Sequence, residues 1–173
     1  MHVRMLDDTN QAQSEALGVL GVNLIYGAFN YHNNTEELIR SLMDNLSQNS
    51  IEIDMIHFAG PYFEDVENRL MNLYLVQIGH THAVMFDSDG EVILSSEKFY
   101  KKNILAIRGT FKPVTHTNIN MIERGWEQFV ASDPTVSDKN SLILAEITIN
   151  TVVSGDHVDA KEFLARVDLL SSL

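Results

Sequence analysis

The stretch NILAIRGTFKPVTHTN, residues 103–118, decides how the fold is interpreted. Its first six residues form a mostly apolar run, which predicts a buried strand over 103–108. Gly109 and Pro113 interrupt this run, which predicts a loop over 109–117. A helix is predicted from Asn118 to Val130. The order strand, loop, helix is typical of α/β proteins, which bind ligands at the carboxyl ends of their strands.

The composition of this loop suits an anion. A glycine at the end of a strand lets the backbone turn sharply and approach a ligand. Amide groups at the start of the following helix, at the positive end of its dipole, attract negative charge. Basic and hydroxyl side chains add further donors. We therefore predict a phosphate site, with the candidate cofactor-binding residues Arg108, Gly109, Thr110, Phe111, Lys112, Thr115 and His116.

On both sides of this stretch, helices and strands alternate along the chain. The elements predicted from periodicity and capping are helices over 9–29, 35–46, 65–78 and 159–170, and strands over 51–58, 82–86, 91–95 and 142–149. This alternation predicts an α/β fold with a mostly parallel sheet, one β-hairpin and helices on both faces. We divide the chain into an N-terminal α/β subdomain at 1–95 and a strand-loop-helix portion at 96–173.

Composition excludes several classes of protein. Hydrophobic residues make up 45% of the 173 residues, which suffices for a packed core, and the absence of cysteine excludes disulfides and thiolate metal sites. A net charge of −12 disfavours a nucleic-acid partner. Neither a membrane-length apolar segment nor a signal peptide is evident, so we expect a cytoplasmic protein without a membrane partner. The apolar end, with Leu169, Leu170 and Leu173, predicts that the natural chain continues.

The loop also resembles a known motif. Residues 109–115, GTFKPVT, are similar to the Gly-x-Phe-x-Pro-x-(His/Thr)-x-x-His motif of the nicotinate and nicotinamide mononucleotide adenylyltransferases. The resemblance implies a Rossmann-like nucleotidyltransferase half, ATP with Mg²⁺ as the cofactor and a small-molecule nucleotide as the partner. Asn118 stands where the motif has its last histidine, and the family's later Ile-Ser-x-x-x-x-Arg motif is absent. Adenylyl transfer depends on stabilising charge at the α-phosphate, so this departure puts catalysis in doubt.

A broader resemblance covers nearly the whole chain. It is carried by residues 4–11 (RMLDDTNQ), 23–30 (NLIYGAFN), 68–71 (NRLM) and 163–170 (FLARVDLL). These segments resemble the early-to-middle part of a longer, poorly characterised bacterial family whose members often bear the label nicotinate-nucleotide adenylyltransferase. Some members bear the label TonB-dependent receptor instead, which conflicts with an opening that lacks the apolar core of a secretion signal.

A second function hypothesis stays open beside nucleotide binding. The chain could be a non-catalytic regulatory or interaction module of the same fold, which binds a partner protein through the helices of residues 9–46. A homo-oligomer is compatible with either hypothesis.

Three smaller motifs have a structural and a functional interpretation. Asp87-Ser88-Asp89-Gly90 follows an apolar strand, as the nucleophile of haloacid dehalogenases does, but its Asp-Gly pair favours a hairpin turn. His80 and His82 share a face of an extended segment and could bind a metal, although no third ligand stands out. The charged group Arg4, Asp7 and Asp8 either caps the first helix or belongs to a site. We favour the hairpin turn and a structural role for the histidines.

Overall fold

A computed structural model of the chain describes residues 1–137, 139–154 and 157–172. Over these residues the protein is a mixed α/β structure with six α-helices and four two-stranded sheets. The chain divides into two compact units, Met1–Met85 and Phe86–Leu173. The boundary between the two parts was predicted from the sequence to follow residue 95.

The first unit contains two strands and three helices. They are β1 (His2–Met5), α1 (Asn10–Asn30), α2 (Thr35–Ser41), β2 (Ile51–Met55) and α3 (Asn68–Gln77). Helix α1 begins close to the predicted position because the Thr9 hydroxyl accepts a hydrogen bond from the Ala12 amide at 3.2 Å. Helix α2 stops before the predicted residue 46. Asn45 adopts a φ of 59°, in the left-handed region, where an α-helix cannot continue.

Strands β1 and β2 pair antiparallel, with Val3 opposite Ile53 and Arg4 opposite Glu52. Helices α1, α2 and α3 contribute side chains to the apolar core beside β2. The buried core residues of this unit are Leu20, Leu38, Ile39, Leu42, Ile51, Ile53, Ile56, Phe58, Tyr74 and Leu75. Gly27 lets α1 approach α2 closely, because a Cβ at this position would lie 2.8 Å from the Ser41 Oγ.

The second unit is built around one βαβ segment. Strand β5 (Asn103–Arg108) pairs in parallel with β6 (Ser141–Glu146), and α5 (His116–Ser132) connects them. Before this segment come β3 (Met85–Phe86), which spans the boundary between the units, β4 (Val92–Ile93) and α4 (Ser95–Lys98). After it come a 3-10 turn (Ile149–Thr151), the antiparallel pair β7 (Val153–Ser154) and β8 (His157–Val158), and α6 (Ala160–Ser171).

Of the predicted mostly parallel sheet, the described residues contain one parallel strand pair. The strands form four separate two-stranded sheets, of which β5–β6 is parallel and β1–β2 and β7–β8 are antiparallel. Strands β3, β4, β7 and β8 have two residues each, which is too short to join a larger sheet. The α/β class itself is confirmed.

The hairpin turn at residues 87–90 is confirmed. The Asp87 carboxylate accepts hydrogen bonds from the amides of Asp89 at 3.0 Å and Glu91 at 2.9 Å, and Gly90 has a φ of 79°. Strands β3 and β4 pair across this turn. Asp87, the first aspartate of the dehalogenase-like motif, thereby stabilises the turn with its carboxylate.

In the part of the chain that the structure describes, no helix combines the length and the hydropathy that spanning a membrane requires.

Candidate functional site

The loop between β5 and α5 leaves the carboxyl end of a parallel strand pair, as predicted. Helix α5 begins at His116, two residues before the predicted start, so the His116 candidate belongs to the first helical turn. The Thr115 hydroxyl accepts a hydrogen bond from the Asn118 amide at 3.4 Å, and the Asn118 Oδ1 accepts from the Thr115 amide at 2.9 Å. This reciprocal pair is a capping box, which explains the early start of the helix.

Gly109 and Phe111 act together as an internal anchor of the loop. The Phe111 side chain is only 2% exposed, and its φ of 46° turns the ring inward. A Cβ on Gly109 would lie 3.2 Å from that ring, so the ring's position requires glycine there. The Gly109 amide donates to the Glu146 carbonyl at 3.1 Å. The Gly109 amide and the Phe111 side chain are therefore not available to a ligand, although both residues fix the path of the loop.

The two cations of the predicted site are paired with carboxylates. The Arg108 guanidinium donates to Glu146 at 2.7 Å, and the hydrogen bond and charge of Glu146 raise the pKa of Arg108. The Lys112 ammonium donates to Glu162 of α6 at 2.5 Å. Glu162 also accepts from Arg166, which is buried. The hydrogen bond from Lys112, assisted by that from Arg166, lowers the pKa of Glu162.

Several backbone donors of the loop remain unpaired. Among the described residues we find no hydrogen-bond acceptor for the amides of Thr110, Phe111, Lys112, His116 and Thr117. Thr110, Lys112, His116 and Thr117 are exposed residues. Unpaired amides at the start of a helix present partial positive charge to solvent. Together with the Lys112 ammonium, this arrangement can bind an anion.

The sequence did not reveal the acidic and basic partners of this loop. Glu146 lies opposite Arg108 in the parallel register of β5 and β6, and Glu162 lies one helical turn before Arg166. The spacing of Glu162 and Arg166 is a recognisable intrahelical pair, so it was the one signal available. The contact of this pair with Lys112 depends on the fold.

A second polar cluster lies in the first unit, around the buried Glu52. Its carboxylate accepts hydrogen bonds from Arg4, from the Thr81 hydroxyl at 2.6 Å and from the His82 amide at 3.4 Å. Burial raises the pKa of Glu52, but the hydrogen bonds from Thr81 and Arg4 outweigh it, so the pKa lies below its ordinary value. Arg4 therefore holds a buried carboxylate in place, which is a structural role.

His80 is buried beside this cluster. Its Nε2 lies 3.3 Å from the Ile39 carbonyl oxygen, and its Nδ1 has no hydrogen-bond partner among the described residues. Burial lowers the pKa of His80. Over the same described residues, no three His, Cys, Asp or Glu side chains are grouped so that they could hold a metal. The structure thus gives a packing role to His80.

Neither a protein-family model nor a curated protein nor a solved structure matches the chain. The function therefore has to be inferred from the geometry described above.

Proposed function

We propose that the second unit binds a small phosphate-bearing ligand, a nucleotide, on the loop between β5 and α5. The observation that carries this proposal is a set of unpaired amides beside the Lys112 ammonium, namely those of Thr110, Phe111, Lys112, His116 and Thr117. Such amides, at the start of the 17-residue helix α5, supply the donors and the dipole that a phosphate needs. By the resemblance of the loop, ATP with Mg²⁺ and a mononucleotide are the first ligands to test.

The Rossmann-like nucleotidyltransferase half belongs to this proposal. Its support is the β5–α5–β6 segment, a parallel strand pair joined by a helix, which is the unit that Rossmann-like folds repeat. The loop leaves the carboxyl end of β5, the edge at which open α/β sheets place their ligands.

Lys112 would exchange one anionic partner for another during binding. The Lys112 side chain is 57% exposed, and its ammonium contacts the Glu162 carboxylate at 2.5 Å. A phosphate group carries more negative charge than a carboxylate and offers more acceptor oxygens, so it competes for the same ammonium. Glu162 keeps Arg166 as a partner when Lys112 turns to the ligand.

We further propose that the site binds a nucleotide without catalysing adenylyl transfer. The family's motif supplies an imidazole at the position of Asn118. Here the Asn118 Oδ1 accepts from both the amide and the hydroxyl of Thr115, at 2.9 and 2.8 Å. A neutral amide that is committed to a helix cap offers no positive charge to an α-phosphate.

Calorimetric titration of the 173-residue chain with ATP, NMN and nicotinate mononucleotide, each with Mg²⁺, tests the proposal. We expect heat with at least one of the three. Lys112→Ala should weaken that affinity by about tenfold or more, the usual effect of removing a charged hydrogen bond to phosphate. Lys102→Ala is the matched control, since Lys102 precedes the amino end of β5, about 20 Å of strand away from the loop.

Two outcomes contradict nucleotide binding. The first is the absence of heat with all three nucleotides from a chain whose circular dichroism shows it to be folded. The second is an affinity that Lys112→Ala and Lys102→Ala leave equally unchanged. Amide chemical shifts of Thr110 and His116, followed during the titration, add a direct report on the loop.

The second candidate function, a protein-interaction module, is favoured by a different observation. Helix α1 carries several large apolar side chains on the surface of the first unit, among them Val22 (67% exposed), Ile25 (74%) and Phe29 (82%). Contiguous exposed apolar side chains mark interaction surfaces more often than isolated ones do.

A further inference from the structure

Helix α1 is apolar on two opposite faces. Ala16, Leu20 and Gly27 are buried against the rest of the first unit. At 100° per residue, the set Gly18, Val22, Ile25 and Phe29, here termed the α1 stripe, lies about 170° around the helix from that buried face. The spacing of the α1 stripe, four, three and four residues, is that of a helix–helix seam.

The α1 stripe is complementary to itself. About a midpoint between Asn23 and Leu24, Gly18 mirrors Phe29 and Val22 mirrors Ile25. In an antiparallel pair of α1 helices, the large Phe29 ring of each copy would therefore lie over Gly18 of the other. A Cβ at Gly18 has no neighbour within 4 Å in its own chain, so the space that the ring needs is open. Self-complementarity of one patch is what a two-fold symmetric dimer requires.

We propose that two copies of this chain associate through their α1 stripes, antiparallel and related by a two-fold axis. This inference deepens the second candidate function and does not depend on nucleotide binding.

Charge leaves the α1 stripe open to a second copy. The chain has 24 acidic and 12 basic residues, so most surfaces of two copies repel each other. Residues 10–30 contain a single charged side chain, Glu15. The α1 stripe is thus the place where two acidic chains can approach with least repulsion.

The α1 stripe also supplies apolar area to such a dimer. Aromatic side chains bury roughly 150–250 Å² each when they are covered. Phe29, Ile25 and Val22 of the α1 stripe are 82%, 74% and 67% exposed. Covering them would contribute part of the roughly 800 Å² per partner that stable interfaces bury.

Sedimentation of the chain over a range of concentrations tests the association. We expect a reversible dimer, and we expect Ile25→Asp to raise its dissociation constant at least about tenfold, because the aspartate would face an apolar partner. Tyr100→Asp is the matched control, since Tyr100 is 68% exposed but lies in the other unit, and it should leave the dimer unchanged. The exposure of Ile25 makes a folded variant the expectation, and circular dichroism checks it.

Cysteine cross-linking tests the antiparallel arrangement, and the chain has no native cysteine to interfere. A mixture of Gly18→Cys and Phe29→Cys chains should form a disulfide-linked dimer on oxidation, because these positions face each other. Phe29→Cys alone should not, since its two sulfur atoms would lie roughly 16 Å apart along the helices.

A chain that sediments as a monomer at every concentration overturns the proposal and leaves the α1 stripe to a different protein. Efficient cross-linking of Phe29→Cys alone overturns the antiparallel arrangement. Calorimetry with ATP on the Ile25→Asp variant separates the two proposals, since the loss of the dimer should leave any nucleotide heat in place.

Discussion

The two units of the chain are stabilised in different ways. Among the largest fully buried side chains of the described residues, seven belong to the first unit and only Phe111 belongs to the second. The first unit has a continuous apolar core that β2, the three helices and the segment with Ile56 and Phe58 build together. In the second unit the loop proposed to bind phosphate also supplies the best-buried ring. Binding and stability are therefore linked in the second unit and separate in the first.

Removing the Phe111 ring is the change that tests this difference most strongly. We expect Phe111→Ala to lower the free energy of unfolding of the second unit by about 3–5 kcal/mol, because a buried aromatic ring is lost. Fluorescence of Trp126, the single tryptophan of the chain, reports on this unit during urea unfolding. Tyr100→Ala removes an aromatic ring from a 68% exposed position of the same unit and should change stability by no more than about 0.5 kcal/mol. Equal effects of the two changes would show that Phe111 is not an anchor.

Two glycine substitutions on α1 test how closely this helix packs against α2 in the first unit. Gly21→Ala should raise the free energy of unfolding by about 0.5–1 kcal/mol, because alanine favours the helix and its Cβ meets nothing within 4 Å. Gly27→Ala should lower it by about 1 kcal/mol. Its Cβ would lie 2.8 Å from the Ser41 Oγ and displace the hydrogen bond from that hydroxyl to the Leu38 carbonyl.

Thermal unfolding monitored by circular dichroism measures both variants. A stabilising Gly27→Ala would show that α1 and α2 are not in close contact at this glycine.

The smallest expected effect is a difference in acid sensitivity between the units. Burial lowers the pKa of His80, so unfolding takes up a proton once the pH falls below the unfolded value of about 6.5. The stability of the first unit should therefore decrease from that pH downward. The lowered pKa of Glu162 in the second unit acts only below about pH 4.3, the unfolded value of a glutamate, as the carboxylate becomes protonated.

Hydrogen exchange of residues 51–55, compared with Trp126 fluorescence between pH 7 and 5, measures this difference. His80→Phe should abolish the loss of protection in the first unit, because phenylalanine does not titrate. If the loss persists in that variant, His80 is not its source.

Local features were predictable from the sequence because they depend on neighbouring residues. The Thr9 and Asp159 caps and the turn at Asp87 and Gly90 lie where the sequence places them. Pairing between distant segments was not predictable, since alternation in 51–55 identifies a strand without identifying β1 as its antiparallel partner. This is why the sequence predicted a larger parallel sheet than the single parallel pair β5–β6.

The candidate site also has features that the local sequence predicts and contacts that it does not predict. The loop and its helix followed from Gly109, Pro113 and the apolar strand before them. The contact of Lys112 with Glu162 depends on α6, because Glu162 lies 50 residues further along the chain. A motif gives the order of residue types. It does not show which of those residues are buried or paired with other groups of the protein.

The capping box at the start of α5 has an evolutionary consequence. Asn118 takes part in the cap, and it stands at the position where the adenylyltransferase motif has its last histidine. A histidine at this position would lack the Oδ1 that receives the Thr115 amide and hydroxyl, with a penalty of about 1 kcal/mol at the helix start. Gaining an imidazole there would thus require a replacement cap in the same step, which makes the change an uphill path by single substitution.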